Sequence, residues 1–326
     1  MALSNEQLLK LYEWVVFARV CEDKLTEAFS KGWIPTFVHS GKGEEANAAA
    51  AIFALRPDDY TVVPHRPQVS SYYFKGADLN KVMAETFCKK GICKGKGGIM
   101  HMADFEHGLM GALGMIGYNL PLAVGVALAV KMRGEDKVVL NIFGDGASGQ
   151  GTFHESLNMA SKWKLPIVFF CINNGFAIST RPADVFPVRI VDRAPAYGMP
   201  GVSIDGNDPV AIYEATKKAV DRARKGEGPS LIESVCYRWR DHAEGLEVTL
   251  ADRPYRTSEE VEKEQKKDPV LHFQKELVAK GILTQAKVDE VAKRVSQQID
   301  KAMEFARKSP LPAEEEALED TFGTFY

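Results

Sequence analysis

The chain has 326 residues, of which 45% are hydrophobic and 26% are charged, as in an ordinary globular protein of one or two domains. Its 41 basic and 44 acidic residues leave a net charge of −3, which is too small to indicate a nucleic-acid-binding surface. The longest apolar run, from Leu120 to Val130, is too short to cross a bilayer. We therefore expect neither nucleic acid nor a membrane as a partner.

The N-terminal sequence and the cysteines indicate the cellular compartment in which the protein is expected. The sequence lacks the basic and apolar regions of a signal peptide, and the early acidic residues Glu6 and Glu13 disfavour a transit peptide. The five cysteines are scattered and odd in number, and their spacing fits neither a disulfide framework nor a zinc site. A reducing, cytoplasmic setting is expected.

The first part of the chain predicts helices, a strand and one long irregular segment. An amphipathic helix is predicted over the first thirty residues, followed by a helix over 44–55 and a short strand over 60–63. Residues 88–118 are rich in glycine and have almost no hydrophobic periodicity. Because long irregular segments in compact chains are usually functional, residues 88–118 are a candidate functional segment.

The centre of the chain alternates helices and apolar strands. The predicted elements are a helix from Pro121 to Val130, a strand over 137–143, a helix over 153–162, a strand over 166–172, a strand over 202–204, a helix over 210–225 and a strand over 230–237. Continuous apolar strands separated by helices indicate parallel strands that are covered on both faces. We predict an α/β fold with a doubly wound, mostly parallel sheet and helices on both faces.

The last third of the chain differs in character. It is charged and aperiodic from Arg238 to Arg256 and helical beyond that point. Thr284 is expected to cap a helix with an apolar stripe made of Val288, Val291, Val295, Ile299 and Ala302. We predict one α/β domain over 1–257 and a helical C-terminal extension over 258–326 that packs on the same domain.

A glycine-rich turn, Gly144-Asp-Gly-Ala-Ser-Gly149, follows the first central strand. The GxGxxG pattern by itself is weak evidence for dinucleotide binding. A dinucleotide-binding fold would place an acidic residue at the end of the next strand, where this chain has Asn173-Asn174. Asp145 within the turn would also repel a pyrophosphate unless a cation lay between them.

A divalent metal ion accounts for both features. Asp145 would supply a carboxylate and Asn174 an amide oxygen from the carboxyl ends of adjacent parallel strands, where open α/β sheets bind ligands. Two phosphate oxygens, a backbone carbonyl and a water would complete the octahedron that Mg²⁺ requires. The helix after Gly151 would direct its positive N-terminus at the phosphates. The alternative is that these residues only form the turns of a βαβ unit.

Gly144-Asp-Gly146, followed after twenty-six residues by Asn173-Asn174, resembles the thiamine-diphosphate and metal motif. Nearly the whole chain resembles the α subunit of the E1 component of pyruvate, branched-chain 2-oxo-acid and acetoin dehydrogenases. The resemblance is carried by four blocks, at residues 94–102, 111–117, 173–180 and 193–208. It implies thiamine diphosphate and Mg²⁺ as cofactors.

The resemblance also implies the site residues. The metal ligands would be Asp145, Asn174 and the carbonyl oxygen of Phe176. The residues around the cofactor would be His65, Arg66, Gly114, Ile116, Asp145, Gly146, Ala147, Asn174, Phe176, Arg238 and His242. Arg66 would grip the diphosphate, for which a guanidinium fork is suited.

Two histidines, His39 and His242, match family positions near the thiazolium and would be catalytic. Histidine titrates near neutral pH and can transfer protons or bind a substrate carboxylate. A lone histidine is more often structural, so that alternative stays open for each. The chain departs from the family at Ala243, where mitochondrial members have a phosphorylated serine, and at Pro67-Gln68-Val69, where a His-Gly-His is common.

The activity that the resemblance implies is oxidative decarboxylation of a pyruvate-like 2-oxo acid, or oxidative cleavage of acetoin, with transfer of the fragment to a lipoyl group. The partners would be an E1 β subunit in an α₂β₂ heterotetramer and a lipoyl-bearing E2 component. The block at 94–102 favours pyruvate or acetoin, and a branched-chain 2-oxo acid is the alternative. An NAD-dependent dehydrogenase and a non-catalytic scaffold subunit are more remote alternatives.

Overall fold

The computed structural model describes residues 3–245 and 255–319. One sheet is formed by six strands: β1 (Tyr60–Val63), β2 (Leu109–Ala112), β3 (Val139–Gly144), β4 (Ile167–Asn173), β5 (Gly201–Asp205) and β6 (Ser230–Val235). Their order is β2–β1–β3–β4–β6–β5, and every neighbouring pair is parallel. The predicted parallel sheet is confirmed.

The helices lie around this sheet. In chain order they are α1 (Asn5–Ser30), α2 (Glu45–Phe53), α3 (Gln68–Phe74), α4 (Leu79–Thr86), α5 (Asn119–Arg133), α6 (Gly151–Lys162), α7 (Pro182–Val185), α8 (Pro209–Arg224), α9 (Ser258–Gln265), α10 (Pro269–Ala279) and α11 (Gln285–Lys308). Short 3₁₀ helices cover Phe105–His107, Asp145–Gly149, Val191–Tyr197 and Glu314–Leu318. Among the described residues, no helix is long and apolar enough to span a membrane.

The central strands are buried on both faces. In β4, the side chains of Val168, Phe170 and Ile172 join a core that includes α1, α2, α8 and α11. The intervening side chains, Ile167, Phe169 and Cys171, join a second core with α5 and α6. Because successive side chains of a strand point to opposite faces, this alternation requires apolar residues at every position. The doubly wound arrangement is therefore confirmed.

The C-terminal helices pack on the first of these cores. The Thr284 side chain accepts a hydrogen bond from the Lys287 N–H and caps α11, as predicted. The buried side of α11 contains the predicted stripe of Val288, Val291, Val295, Ile299 and Ala302. These residues share a core with α1 and α4. The domain boundary at residue 257 stays a prediction.

Two regions differ from the sequence-based prediction. Residues 88–118 are not wholly irregular, because they contain the edge strand β2. This strand has four residues and includes Gly111, so it is too short to show an alternating pattern. Helix α5 begins at Asn119, which places Pro121 within its first turn, where a missing N–H costs no helical hydrogen bond.

A buried carboxylate organises the glycine-rich segment that precedes β2. The side chain of Glu85, at the end of α4, is fully buried. Its two oxygens accept hydrogen bonds from four backbone N–H groups at 2.7 to 3.2 Å, those of Cys93, Gly95, Gly97 and Gly98. The glycines allow the chain to wrap this closely around one side chain. Helix α4 thereby fixes the segment that leads into Met100.

Candidate active site

The carboxyl ends of the parallel strands surround a cavity of about 460 Å³. Residues that follow β1, β2, β3, β4 and β6 all contribute to its lining. All twelve site residues predicted from the sequence line this cavity: His39, His65, Arg66, Gly114, Ile116, Asp145, Gly146, Ala147, Asn174, Phe176, Arg238 and His242. The structure thus brings together residues that are far apart in the chain, at the edge where open α/β sheets bind ligands.

Asp145 and Asn174 follow β3 and β4, which are hydrogen-bonded neighbours. Asp145 is buried, and its Oδ1 accepts a hydrogen bond of 2.7 Å from the Gly146 N–H. Its Oδ2 is also buried but has no hydrogen-bond partner. Burial raises the pKa of the Asp145 carboxyl to about 6. A buried carboxylate oxygen without a partner is energetically costly, and a bound cation would remove that cost.

The Asn174 side chain is held in a defined orientation. Its Nδ2 donates a 2.7 Å hydrogen bond to Oε1 of the buried Glu44, and its Oδ1 accepts one of 3.1 Å from the Phe176 N–H. The amide oxygen retains a second lone pair. Carboxylate and amide oxygens are the donor set that Mg²⁺ favours, so Asp145 and Asn174 fit this ion.

Arg238, which follows β6, contacts the turn that comes after β4. Its side chain is fully buried and donates hydrogen bonds to the carbonyl oxygens of Phe176 (3.2 Å) and Ile178 (2.7 Å). It also donates to the hydroxyl of Tyr255. Arg238 therefore ties the turn after β4 to the residue at which the described chain resumes. Residues 246–254, which belong to the charged, aperiodic segment between Arg238 and Arg256, lie outside the described residues.

Arg66 connects two of the histidine-bearing segments. The buried guanidinium donates to the carbonyl oxygens of Ser40 (2.6 Å) and His242 (2.8 Å). Its Nε lies 3.8 Å from Oε1 of Glu44. Arg66 lines the cavity as predicted. In this structure, however, its guanidinium group hydrogen-bonds to backbone carbonyl oxygens.

Three histidines cluster at one end of the cavity. The ring centroid of His39 lies 4.7 Å from that of His65 and 4.8 Å from that of His242. Burial lowers the pKa of His39 to about 3 and that of His242 to about 4, and Arg66 contributes in the same direction. Burial also places the pKa of His65 well below its usual range. All three imidazoles are therefore neutral near pH 7 and can exchange protons with a ligand.

The histidine cluster is also a possible site for a transition metal, since one nitrogen of each ring lies within 4.8 Å of the others. Arg66 and Arg238 act electrostatically on these rings, however, and such cations oppose the binding of another. The Asp145 carboxylate is the better metal ligand.

The depressed pKa of His39 predicts a pH effect on stability. An imidazole with a pKa near 6.5 when unfolded and about 3 when folded binds more protons in the unfolded state, so stability is lost as the pH falls below 6.5. We expect His39→Gln to reduce the loss of unfolding free energy between pH 7 and pH 5 by about 2 kcal/mol. Urea denaturation at both pH values measures this. The control is His272→Gln, at an exposed position on α10, and an equal effect of both substitutions would contradict the prediction.

The sequence analysis missed several lining residues. Glu44, Met100, Gln150 and Ile178 line the cavity, but none was predicted as a site residue, although Met100 and Ile178 lie in two of the blocks that carry the resemblance. Ile178 has a φ of 58°, which is rare for a β-branched residue and typical of strain at functional sites. Because φ depends on the folded turn, the sequence does not reveal this backbone conformation.

A family model described as "Dehydrogenase E1 component" matches residues 12–315. The chain belongs to this family. The α subunit of acetoin:2,6-dichlorophenolindophenol oxidoreductase from Bacillus subtilis is 42% identical, over 100% of this chain and 96% of that protein. The chloroplastic pyruvate dehydrogenase E1 component subunit alpha-3 of rice (Oryza sativa) is 38% identical, over 98% of this chain and 77% of its own. The α subunit of 2-oxoisovalerate dehydrogenase from Bacillus subtilis is 36% identical, over 98% and 96%.

Membership in the E1 family confirms the predicted family, fold class and enzyme class. The chain is an E1 α subunit. Its family consists of thiamine-diphosphate-dependent oxidoreductases that act on 2-oxo acids or acetoin. The family also implies a partnership with an E1 β subunit. The NAD-dependent and scaffold alternatives are therefore set aside.

Proposed function

We propose that this E1 α chain works with a β subunit to cleave acetoin oxidatively and to pass the fragment to a lipoyl group on an E2 partner. The observation that carries this choice of substrate is the 42% identity, over the whole chain, to the α subunit of an acetoin oxidoreductase. The higher identity to the acetoin relative than to the other two named relatives supports the same choice.

In this proposal, Asp145, Asn174 and the Phe176 carbonyl hold Mg²⁺, with the diphosphate against Gly146 and Ala147. Gly146 permits close approach of this turn to the turn after β4, since a Cβ there would lie 2.8 Å from the Cβ of Ala177. The 3₁₀ helix at 145–149 leads directly into the N-terminus of α6, which favours negative charge. The unpartnered Oδ2 of Asp145 supports this metal assignment.

When bound, thiamine diphosphate supplies a thiazolium that stabilises negative charge developing on the substrate carbon. The proposed role of His39 and His242 is to exchange protons with the substrate oxygens. Their Nδ1 atoms have no hydrogen-bond partner, and their low pKa values keep the rings neutral. Gly114 and Ile116 would hold the aminopyrimidine, and Arg66 would meet the diphosphate by exchanging one of its carbonyl partners.

The mouth of the cavity supports the need for a β subunit. Met115, Ile116 and Ile178 line the cavity and are 55%, 43% and 48% exposed. Exposed apolar side chains at one site are typical of an interaction surface. We propose that the β subunit covers them in an α₂β₂ assembly. The five free cysteines suit a reducing, cytoplasmic setting, although the rice relative is chloroplastic.

A substrate comparison tests the proposal. The chain is purified with its β subunit and assayed with acetoin, pyruvate and 3-methyl-2-oxobutanoate, using dichlorophenolindophenol as electron acceptor. We expect kcat/KM to be at least about tenfold higher for acetoin than for either 2-oxo acid. A higher kcat/KM for pyruvate would reject acetoin and favour the function named for the rice relative. Asp145→Ala in the same assembly serves as the blank.

A further inference from the structure

Two adjacent carboxylates, Glu44 and Glu45, stand at the start of α2, and both are buried. Their contacts differ. Glu44 lines the cavity, whereas Glu45 pairs with Arg19 and accepts a hydrogen bond from the Gly43 N–H. The pair thus contains a buried carboxylate that reaches the site and a matched one that does not.

The Glu44 carboxylate lies between two groups of the proposed cofactor site. Its Oε1 accepts the 2.7 Å hydrogen bond from Asn174 Nδ2 and lies 3.8 Å from Arg66 Nε. A carboxylate can only accept hydrogen bonds, so it requires the NH₂ group of Asn174 to face it. The amide oxygen must then face away, towards the Phe176 N–H and the metal position.

We propose that Glu44 is a positioning residue that fixes the amide of Asn174 with its oxygen towards the metal ion. This inference rests on the proposed Mg²⁺ site and names a residue that holds one of its ligands. Partners that orient metal ligands commonly change metal affinity by about 10- to 100-fold when they are replaced.

Glutamine at position 44 would keep this constraint, because the same oxygen, Oε1, meets Asn174 Nδ2 and lies near Arg66 Nε, and a glutamine oxygen can take its place. Methionine has a similar length but no such acceptor, so Asn174 Nδ2 would lose its partner and the amide could turn its NH₂ to the metal position. We therefore expect Glu44→Met to weaken metal binding by about tenfold and Glu44→Gln to weaken it much less.

The experiment measures Mn²⁺, which reports on the Mg²⁺ position, by electron paramagnetic resonance in the assembly of α and β with thiamine diphosphate. Glu44→Met should raise the Mn²⁺ dissociation constant about tenfold, and Glu44→Gln should leave it within about threefold of the wild-type value. The control Glu45→Gln removes a neighbouring buried carboxylate that pairs with Arg19, and it should leave the constant within about twofold of wild type. Circular dichroism melts establish that each variant is folded.

The variant Asn174→Asp provides a second background, which separates the positioning role of Glu44 from a general disturbance of the site. In Asn174→Asp the two oxygens of residue 174 are equivalent, so no orientation has to be fixed, and Glu44 becomes a like-charge neighbour. Glu44→Met in this background should therefore strengthen Mn²⁺ binding several-fold, which reverses the sign of its effect.

The inference is overturned if Glu44→Met leaves Mn²⁺ affinity unchanged in wild type, or if it weakens binding equally in both backgrounds. It is also overturned if Glu44→Gln weakens binding as much as Glu44→Met does. Equal weakening by Glu45→Gln would also overturn it. If the wild-type assembly binds no Mn²⁺ that depends on thiamine diphosphate, the proposed metal site itself fails. The wild-type titration alone identifies that case.

Discussion

Asp145→Ala is expected to weaken thiamine diphosphate binding in the presence of Mg²⁺ by more than about 100-fold and to abolish turnover. The reason is the loss of the one carboxylate among the three proposed metal ligands. The same substitution removes a buried oxygen that has no hydrogen-bond partner. The free chain should therefore be as stable as wild type, or more stable by about 1 kcal/mol. Loss of binding without loss of stability is characteristic of a binding residue.

The test combines a fluorescence titration with thiamine diphosphate and urea denaturation of the cofactor-free chain. The matched control is Asp205→Ala, at the carboxyl end of β5, where the residue is exposed and lies outside the cavity lining. We expect this control to bind as wild type does. A dissociation constant for thiamine diphosphate within about tenfold of the wild-type value in Asp145→Ala would contradict the assignment of Asp145 as a metal ligand.

Glu85→Gln is expected to lower the free energy of unfolding by at least about 3 kcal/mol. Each oxygen of Glu85 accepts two backbone hydrogen bonds, so replacing one oxygen with an NH₂ group sets that group against two N–H donors. The segment from Cys93 to Gly98 would then separate from α4. Because this segment leads to Met100 and His101, thiamine diphosphate affinity should fall as well.

Urea denaturation and the cofactor titration measure these two effects of Glu85→Gln. Glu106→Gln is the control, since Glu106 is exposed in the same region. Equal stability of Glu85→Gln and Glu106→Gln would contradict the proposed role of the buried carboxylate. A loss of stability with unchanged cofactor affinity would limit that role to folding.

The residues of local motifs could be predicted from the sequence. Asp145 lies in a glycine-rich turn after one apolar strand, and Asn174 ends the next. Because the strands of a βαβ unit are parallel, their carboxyl ends meet at one edge, so the two side chains had to be close. The apolar strands themselves were identified because both faces of the sheet are covered.

Residues that act through distant contacts were not predictable in this way. Glu44 meets Asn174 across 130 positions of the chain. Arg66 meets the carbonyl of His242 across 176 positions. Residues 88–118 were identified as a candidate functional segment, and Met100, Gly114 and Ile116 do line the cavity. The role of Glu85 was missed, because the hydrogen bonds to glycine N–H groups leave no pattern in the side chains.

The most direct test of the central claim is a calorimetric titration of thiamine diphosphate into the assembly of this chain with its β subunit, with Mg²⁺ and with a chelator. The account predicts saturable binding with Mg²⁺ and none with the chelator. It also predicts that the isolated chain binds much more weakly than the assembly. Binding that is equally strong with the chelator, or no binding by the assembly with Mg²⁺, would contradict the account.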